Sequence, residues 1–74
     1  MAYEFVNGPA RVRLLKVGGT WVVEFERRRF GAWRSPDAAA MAAATHRTGL
    51  HAWDSALVEV SNDILDWRPL GDSI

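Results

Sequence analysis

The stretch TWVVEFERRRFGAWRSPDAAAMAAA, residues 20–44, decides the fold. Its first part alternates: Trp21, Val23 and Phe25 fall on one face of an extended chain, Val22, Glu24 and Glu26 on the other. A period of two marks a strand with one buried face. Its last part loses that period. Residues 38–44 hold no polar side-chain atom except the Met41 thioether, and alanine is the best helix former. Between them lie three adjacent arginines and the run Phe30-Gly31-Ala32-Trp33. We read a strand, a tight turn near Arg27 and Arg28, a short strand over 29–33, and a helix over 36–47. Ser35 is the N-cap, its hydroxyl placed to accept from a first-turn N–H. Pro36 follows at the first helical position, where a missing N–H costs nothing. Asp37 sets negative charge at the positive end of the helix dipole, and Gly49 suits a left-handed cap beyond Arg47.

Upstream, RVRLLKV (11–17) puts Val12 and Leu14 on one face and Arg11, Arg13 and Leu15 on the other. Gly18-Gly19 supplies the positive φ angles of a two-residue hairpin turn, so 11–33 reads as a meander. Glu24 or Glu26 then lies across from Arg11 or Arg13, a pair worth about 0.2–1 kcal/mol. Downstream, residues 50–74 are less regular. We read Ala56–Val60 as a fourth short strand, then a helical turn capped by Ser61 or Asn62 and running to Trp67. Pro69 and Gly71 end the structure, with loose residues after them. The fold class is α+β: a three-stranded antiparallel sheet, with that fourth short strand, one helix packed on it, and an irregular acidic C-terminal segment.

Seventy-four residues allow one domain. A chain this short buries only about 60% of the surface its unfolded form exposes. Four Trp, three Phe and one Tyr add apolar area, and no Cys is present, so disulfides and thiol chemistry are excluded. The N-terminus lacks an apolar targeting core, and the longest apolar run falls far short of the roughly 20 residues that span a bilayer. The expectation is a soluble cytoplasmic protein with no membrane partner. Formal net charge is zero, yet residues 11–34 hold seven basic against two acidic groups, a net of +5, and residues 35–74 a net of −4. Such a layout fits an anionic partner, pairing between the halves, or pairing between two copies.

The order of strand, basic turn, apolar-Gly-x-aromatic strand and Ser-capped Ala-rich helix resembles the DNA-binding domain of plant ethylene-response factors. It is similar also to the arm-binding domains of phage integrases. The residues that carry the likeness are Phe30-Gly31-Ala32-Trp33, Ser35 and Ala39-Ala40, within 11–47. The resemblance implies a three-stranded sheet plus helix, with DNA read by basic and aromatic residues on the exposed sheet face, here Arg11, Arg13, Arg28 and Trp33. This chain departs from those strongly basic families in its zero net charge and acidic second half.

The candidate binding residues, for protein or nucleic acid, are Arg11, Arg13, Arg27, Arg28, Arg29, Trp33 and Arg34. Arg27–Arg29 with Arg34 read either as a phosphate clamp or as a solvated turn paired with Glu24, Glu26 or the acidic tail. Met41, Trp53 and Trp67 are candidate interface residues; the other reading of both tryptophans is that they close the far side of a thin core. His46, His51 and Asp54 have metal-ligand chemistry, but Gly49 breaks the helix between the histidines, so no metal site is expected. Ser55, His51 and Asp54 contain triad residue types without a nucleophile elbow. No phosphate-binding glycine loop is present. The expectation is a small non-catalytic binding module acting through protein–protein contact or as a homodimer, without cofactor or small-molecule ligand. The alternatives are a nucleic-acid-binding module on the basic sheet face, or a phage- or mobile-element-type inhibitor of a host complex.

Overall fold

The computed structural model describes residues 2–70. Five strands form one antiparallel sheet: β1 Ala2–Asn7, β2 Ala10–Val17, β3 Thr20–Phe25, β4 Arg28–Trp33 and β5 Arg68–Leu70, in the order β4-β3-β2-β1-β5. Helix α1 is Pro36–Ala44, followed by a single turn α2, His51–Asp54, and a 3-10 turn, Ile64–Asp66. The α+β class and the packed helix stand as read from the sequence. The strand count does not.

Two strands were not foreseen. β1 pairs along β2 from Ala2↔Leu15 to Asn7↔Ala10, so the strand read as the first of three is the centre of five. β5 pairs with β1 through Tyr3↔Pro69. Pro69 therefore lies inside a strand rather than ending the structure, tolerated because an edge strand has one row of unused N–H groups. Conversely, the fourth strand expected at Ala56–Val60 does not form: the stretch joins no ladder. The place beside β1 is taken by β5, and 56–60 passes the far end of β1, where the Asn7 amide donates to the Glu59 carbonyl at 2.9 Å. Gly71 and the last few residues, read as loose, lie outside those described.

The turns follow their chemistry. Gly18 and Gly19 both take positive φ, as a two-residue hairpin with the right twist requires. The β3–β4 turn asks the same of Glu26 and Arg27, at φ 52° and 66°. Within β4, Val23 pairs with Phe30 but Trp21 pairs with Trp33, so Gly31 and Ala32 together oppose Val22. This bulge, with Gly31 at φ 78°, turns both Phe30 and Trp33 to the same face. The Trp33 ring lies where a Gly31 Cβ would stand. The apolar-Gly-x-aromatic run is thus a packing device.

Helix α1 begins as expected: Ser35 Oγ accepts from the Ala38 N–H at 3.1 Å, and Pro36 opens the first turn. It ends three residues early. His46 rather than Gly49 closes the helix in the left-handed position, at φ 55°, while Gly49 takes its own positive φ of 91° further on. Its N–H reaches the Ala43 carbonyl and that of Arg47 reaches Ala42, the paired bonds of a Schellman ending. Ala39, Ala40 and Ala43 are buried against β2 and β3, where small side chains let helix and sheet approach closely. Asp63, rather than Ser61 or Asn62, caps the 3-10 turn, accepting from the Leu65 N–H at 3.0 Å.

The core lies between α1 and one sheet face: Val12, Leu14, Trp21 and Val23, with Tyr3, Phe5, Phe25, Phe30 and Trp33 around them. The C-terminal segment docks by its two tryptophans. Trp53 is fully buried, edge-on to Phe25 at 4.9 Å, and its indole N–H donates to the Ala43 carbonyl at 3.0 Å. Trp67 packs on Phe5 at 5.3 Å and donates to the Ser61 carbonyl at 2.8 Å. Each ring brings a large apolar area with its one polar atom satisfied. Both are core residues and present no ring to a partner.

Candidate functional site

The sheet face opposite α1 carries the most organised set of surface groups. Strand alternation sends Glu4, Arg13, Glu24, Arg29 and Arg68 to that face, and the registers align them. Arg68 lies opposite Glu4, Glu4 opposite Arg13, Arg13 opposite Glu24, and Glu24 opposite Arg29. One row of alternating sign thus crosses all five strands. Arg13 Nε donates to Glu4 Oε2 at 3.0 Å and Arg29 Nε to Glu24 Oε2 at 3.1 Å. Looser ion pairs join Arg11 to Glu4 at 3.6 Å and Arg13 to Glu24 at 3.9 Å. The glutamate side chains are 11% and 21% exposed, the arginines 40% to 62%. The carboxylates therefore sit low between guanidinium groups, and the face presents donors outward.

A second row runs beside the first. Leu70 lies opposite Ala2, Ala2 opposite Leu15, and Leu15 opposite Val22, with Val17 further along β2. Leu15, Val22 and Leu70 are half-buried, Val17 is 45% exposed, and Ala2 is buried at 1%, so it supports the row from beneath rather than facing outward. Arg13, Glu24 and Arg29 join Ala2, Leu15 and Val17 around a shallow depression of about 340 Å³. The opposition of Arg13 and Glu24 was legible in the alternation, and so was the placing of Leu15 beside Arg11 and Arg13. Glu4, Arg68, Leu70 and Ala2 were missed because their strands were missed.

The arginine cluster does not exist as a patch. Arg27 occupies the turn, Arg28 is opposite Phe25 on the helix side of the sheet, and Arg29 is paired with Glu24 on the open side. Alternation separates neighbours by necessity. Arg34 follows the other end of β4, about 20 Å away at ~3.3 Å per residue. Arg28 and Trp33 are thus not on the exposed sheet face that the family resemblance implied for them. Trp33 packs against the core, and that face carries no aromatic ring among the described residues.

Met41 is the exposed large apolar residue of α1, 49% accessible. The groups with metal or catalytic chemistry hold the chain together. His46 stacks on Trp53 with centroids 5.0 Å apart, and its Nδ1–H donates to the Trp53 carbonyl at 2.9 Å. Asp54 accepts from the Thr48 N–H and hydroxyl and from the Gly49 N–H, at 2.7 to 3.0 Å. The Thr48 backbone bond, the largest cause, outweighs desolvation, and with the other bonds and the nearby His46 it holds the Asp54 carboxyl below its ordinary value of 3.8. Asp66 accepts from the Ser61 hydroxyl. The four ion pairs described all lie within the sheet, so among the described residues none joins the basic half to the acidic one. No group of three or more His, Cys, Asp or Glu suited to a metal is found among the described residues. Nor is any described helix long and apolar enough to cross a membrane.

No protein-family model matches the chain, and neither does any curated protein or solved structure.

Proposed function

We propose that the chain is a small non-catalytic binding module whose open sheet face grips another protein. The observation that carries this reading is the pair of rows: the apolar strip Leu70-Ala2-Leu15-Val22 beside the charged row Arg68-Glu4-Arg13-Glu24-Arg29. An apolar strip rimmed by hydrogen-bonding groups is the anatomy of a protein interface. With Arg11, the face holds four arginines and two glutamates, and the surplus donors favour a partner that sets carboxylates beside apolar side chains. The nucleic-acid reading is weaker on the same face: Arg13 and Arg29 are already engaged by glutamates, and no aromatic platform lies there for a base to stack on.

The test compares the wild type with the Leu15→Glu/Val22→Glu double variant. Both are used as bait in extracts of the cells that make the protein, with thermal melts alongside. The expected result is a protein captured by the wild type and lost with the variant, whose fold persists. Binding to generic DNA at low salt, where phosphate contacts are strongest, that is abolished by Arg11→Ala/Arg13→Ala would overturn the protein reading.

A further inference from the structure

The described sheet is bounded by β4 on one side and on the other by β5, which covers only Ala2–Glu4 of β1; both of these outer strands are blunted. β4 carries Arg28, Arg29 and the bulge at Gly31; β5 is three residues long with Pro69 at its centre. These are the devices by which edges avoid adding strands. The stretch Ala56-Leu57-Val58-Glu59-Val60 has none of them. It belongs to no helix, turn or strand, has one charge and no proline, and alternates in burial as a strand does: Ala56, Val58 and Val60 half-buried, Leu57 and Glu59 exposed. Leu57 is 100% exposed. Among the described residues the N–H groups of 57–60 meet no acceptor.

We infer that a second copy of this chain adds here, the two 56–60 stretches pairing antiparallel about a two-fold axis at Val58. The usable edge is fixed by what is already bonded. Glu59 gives its carbonyl to Asn7, and in a strand neighbouring residues point their backbone groups to opposite sides. The free edge therefore belongs to Val58 and Val60. Val58 exchanges both its bonds with Val58 of the second copy, and each Val60 N–H reaches the facing Ala56 carbonyl. The Ala56 N–H is already given to the Trp53 carbonyl.

The occupant follows from three properties of the stretch. Pairing about Val58 sets half-buried residues opposite half-buried ones and exposed opposite exposed, as one continuous sheet surface requires. Its single charge, Glu59, faces Leu57 of the other copy and not another Glu59. Each Leu57 becomes the diagonal neighbour of its own counterpart, within reach of a long side chain. The net charge of zero leaves no overall repulsion between copies. The contact is isologous, so it closes at two. It lies away from the open sheet face and does not depend on that face binding anything.

The experiment is sedimentation equilibrium of the full chain across concentration, with amide hydrogen exchange at low and high concentration. The expected result is a monomer–dimer equilibrium in which the Val58 and Val60 amides gain protection with concentration and those of Leu57 and Glu59 do not. Leu57→Lys removes a fully exposed side chain, so the monomer fold is kept, and dimerisation weakens about tenfold or more. Leu15→Glu/Val22→Glu leaves the dimer intact. A monomer at every concentration overturns the inference. So does a dimer that ignores Leu57→Lys, one that leaves the Val58 and Val60 amides unprotected, or a monomer that takes up a foreign extended peptide on this edge.

Discussion

The two faces of the sheet are written by the same strands in alternate residues, yet they follow opposite rules. The covered face collects Tyr3, Phe5, Trp21, Val23, Phe25, Phe30 and Trp33 and closes them under α1 and two tryptophans from the C-terminal segment. The open face collects charges and sets them in ion pairs beside a thin apolar strip. Aromatic area is spent inside, where a small domain most needs burial. The open face keeps two more arginines than glutamates, with its carboxylates sunk among guanidinium groups. The difference separates two kinds of residue: those whose loss unfolds the chain, and those whose loss changes only what the chain touches.

The largest effects belong to the covered face. Trp53→Ala removes a fully buried ring and leaves the Ala43 carbonyl without its indole donor. A loss of about 3–5 kcal/mol is expected, enough to unfold a marginal domain, and chemical denaturation measures it. Gly31→Val comes next. It forces a β-branched side chain into φ 78° and against the Trp33 ring. Backbone strain of about 1–3 kcal/mol adds to the steric conflict. A variant as stable as the wild type would show that the bulge is not needed to turn Trp33 inward.

Asp54→Asn probes the joint between α1 and α2. The folded carboxyl titrates below its ordinary value because Thr48 and Gly49 donate to its charged form. Its contribution is therefore fully present above 3.8 and disappears as the pH falls through the lower folded value. The variant should be less stable than the wild type at neutral pH, and the gap should close in acid below 3.8, as paired pH-dependent melts would reveal. A gap that widens in acid has the wrong sign for this account. The smallest stability effect is on the open face: Glu24→Gln weakens two exposed ion pairs and is expected to cost about 0.2–1 kcal/mol. A loss as large as that of Trp53→Ala would erase the distinction between the faces.

How much of this was legible beforehand follows from periodicity. Residues 11–33 and the start of α1 declared themselves through alternation, Gly-Gly and Ser-Pro-Asp, all local signals. β1 was hidden in six residues whose alternation was short and whose partner, β2, already had one neighbour in view. β5 is three residues long with a central proline, and only the sheet gives it strand geometry. Ala56–Val60 has the composition of a strand without a place in the ladder, because pairing is decided by what else fills the edge. The three arginines were the clearest feature of the sequence and the most misleading. Adjacent residues on a turn and strand cannot share a face. The open-face rows needed the register of all five strands, which no local pattern contains.

The most direct test places a photo-crosslinking residue at Val22, on the open face, or at Met41, on the exposed side of α1, and irradiates the cells that make the protein. A binding surface on the open face predicts a protein adduct from position 22 that is lost when Leu15→Glu is added, and none from position 41. Adducts from position 41 alone, or to nucleic acid from position 22, would contradict it.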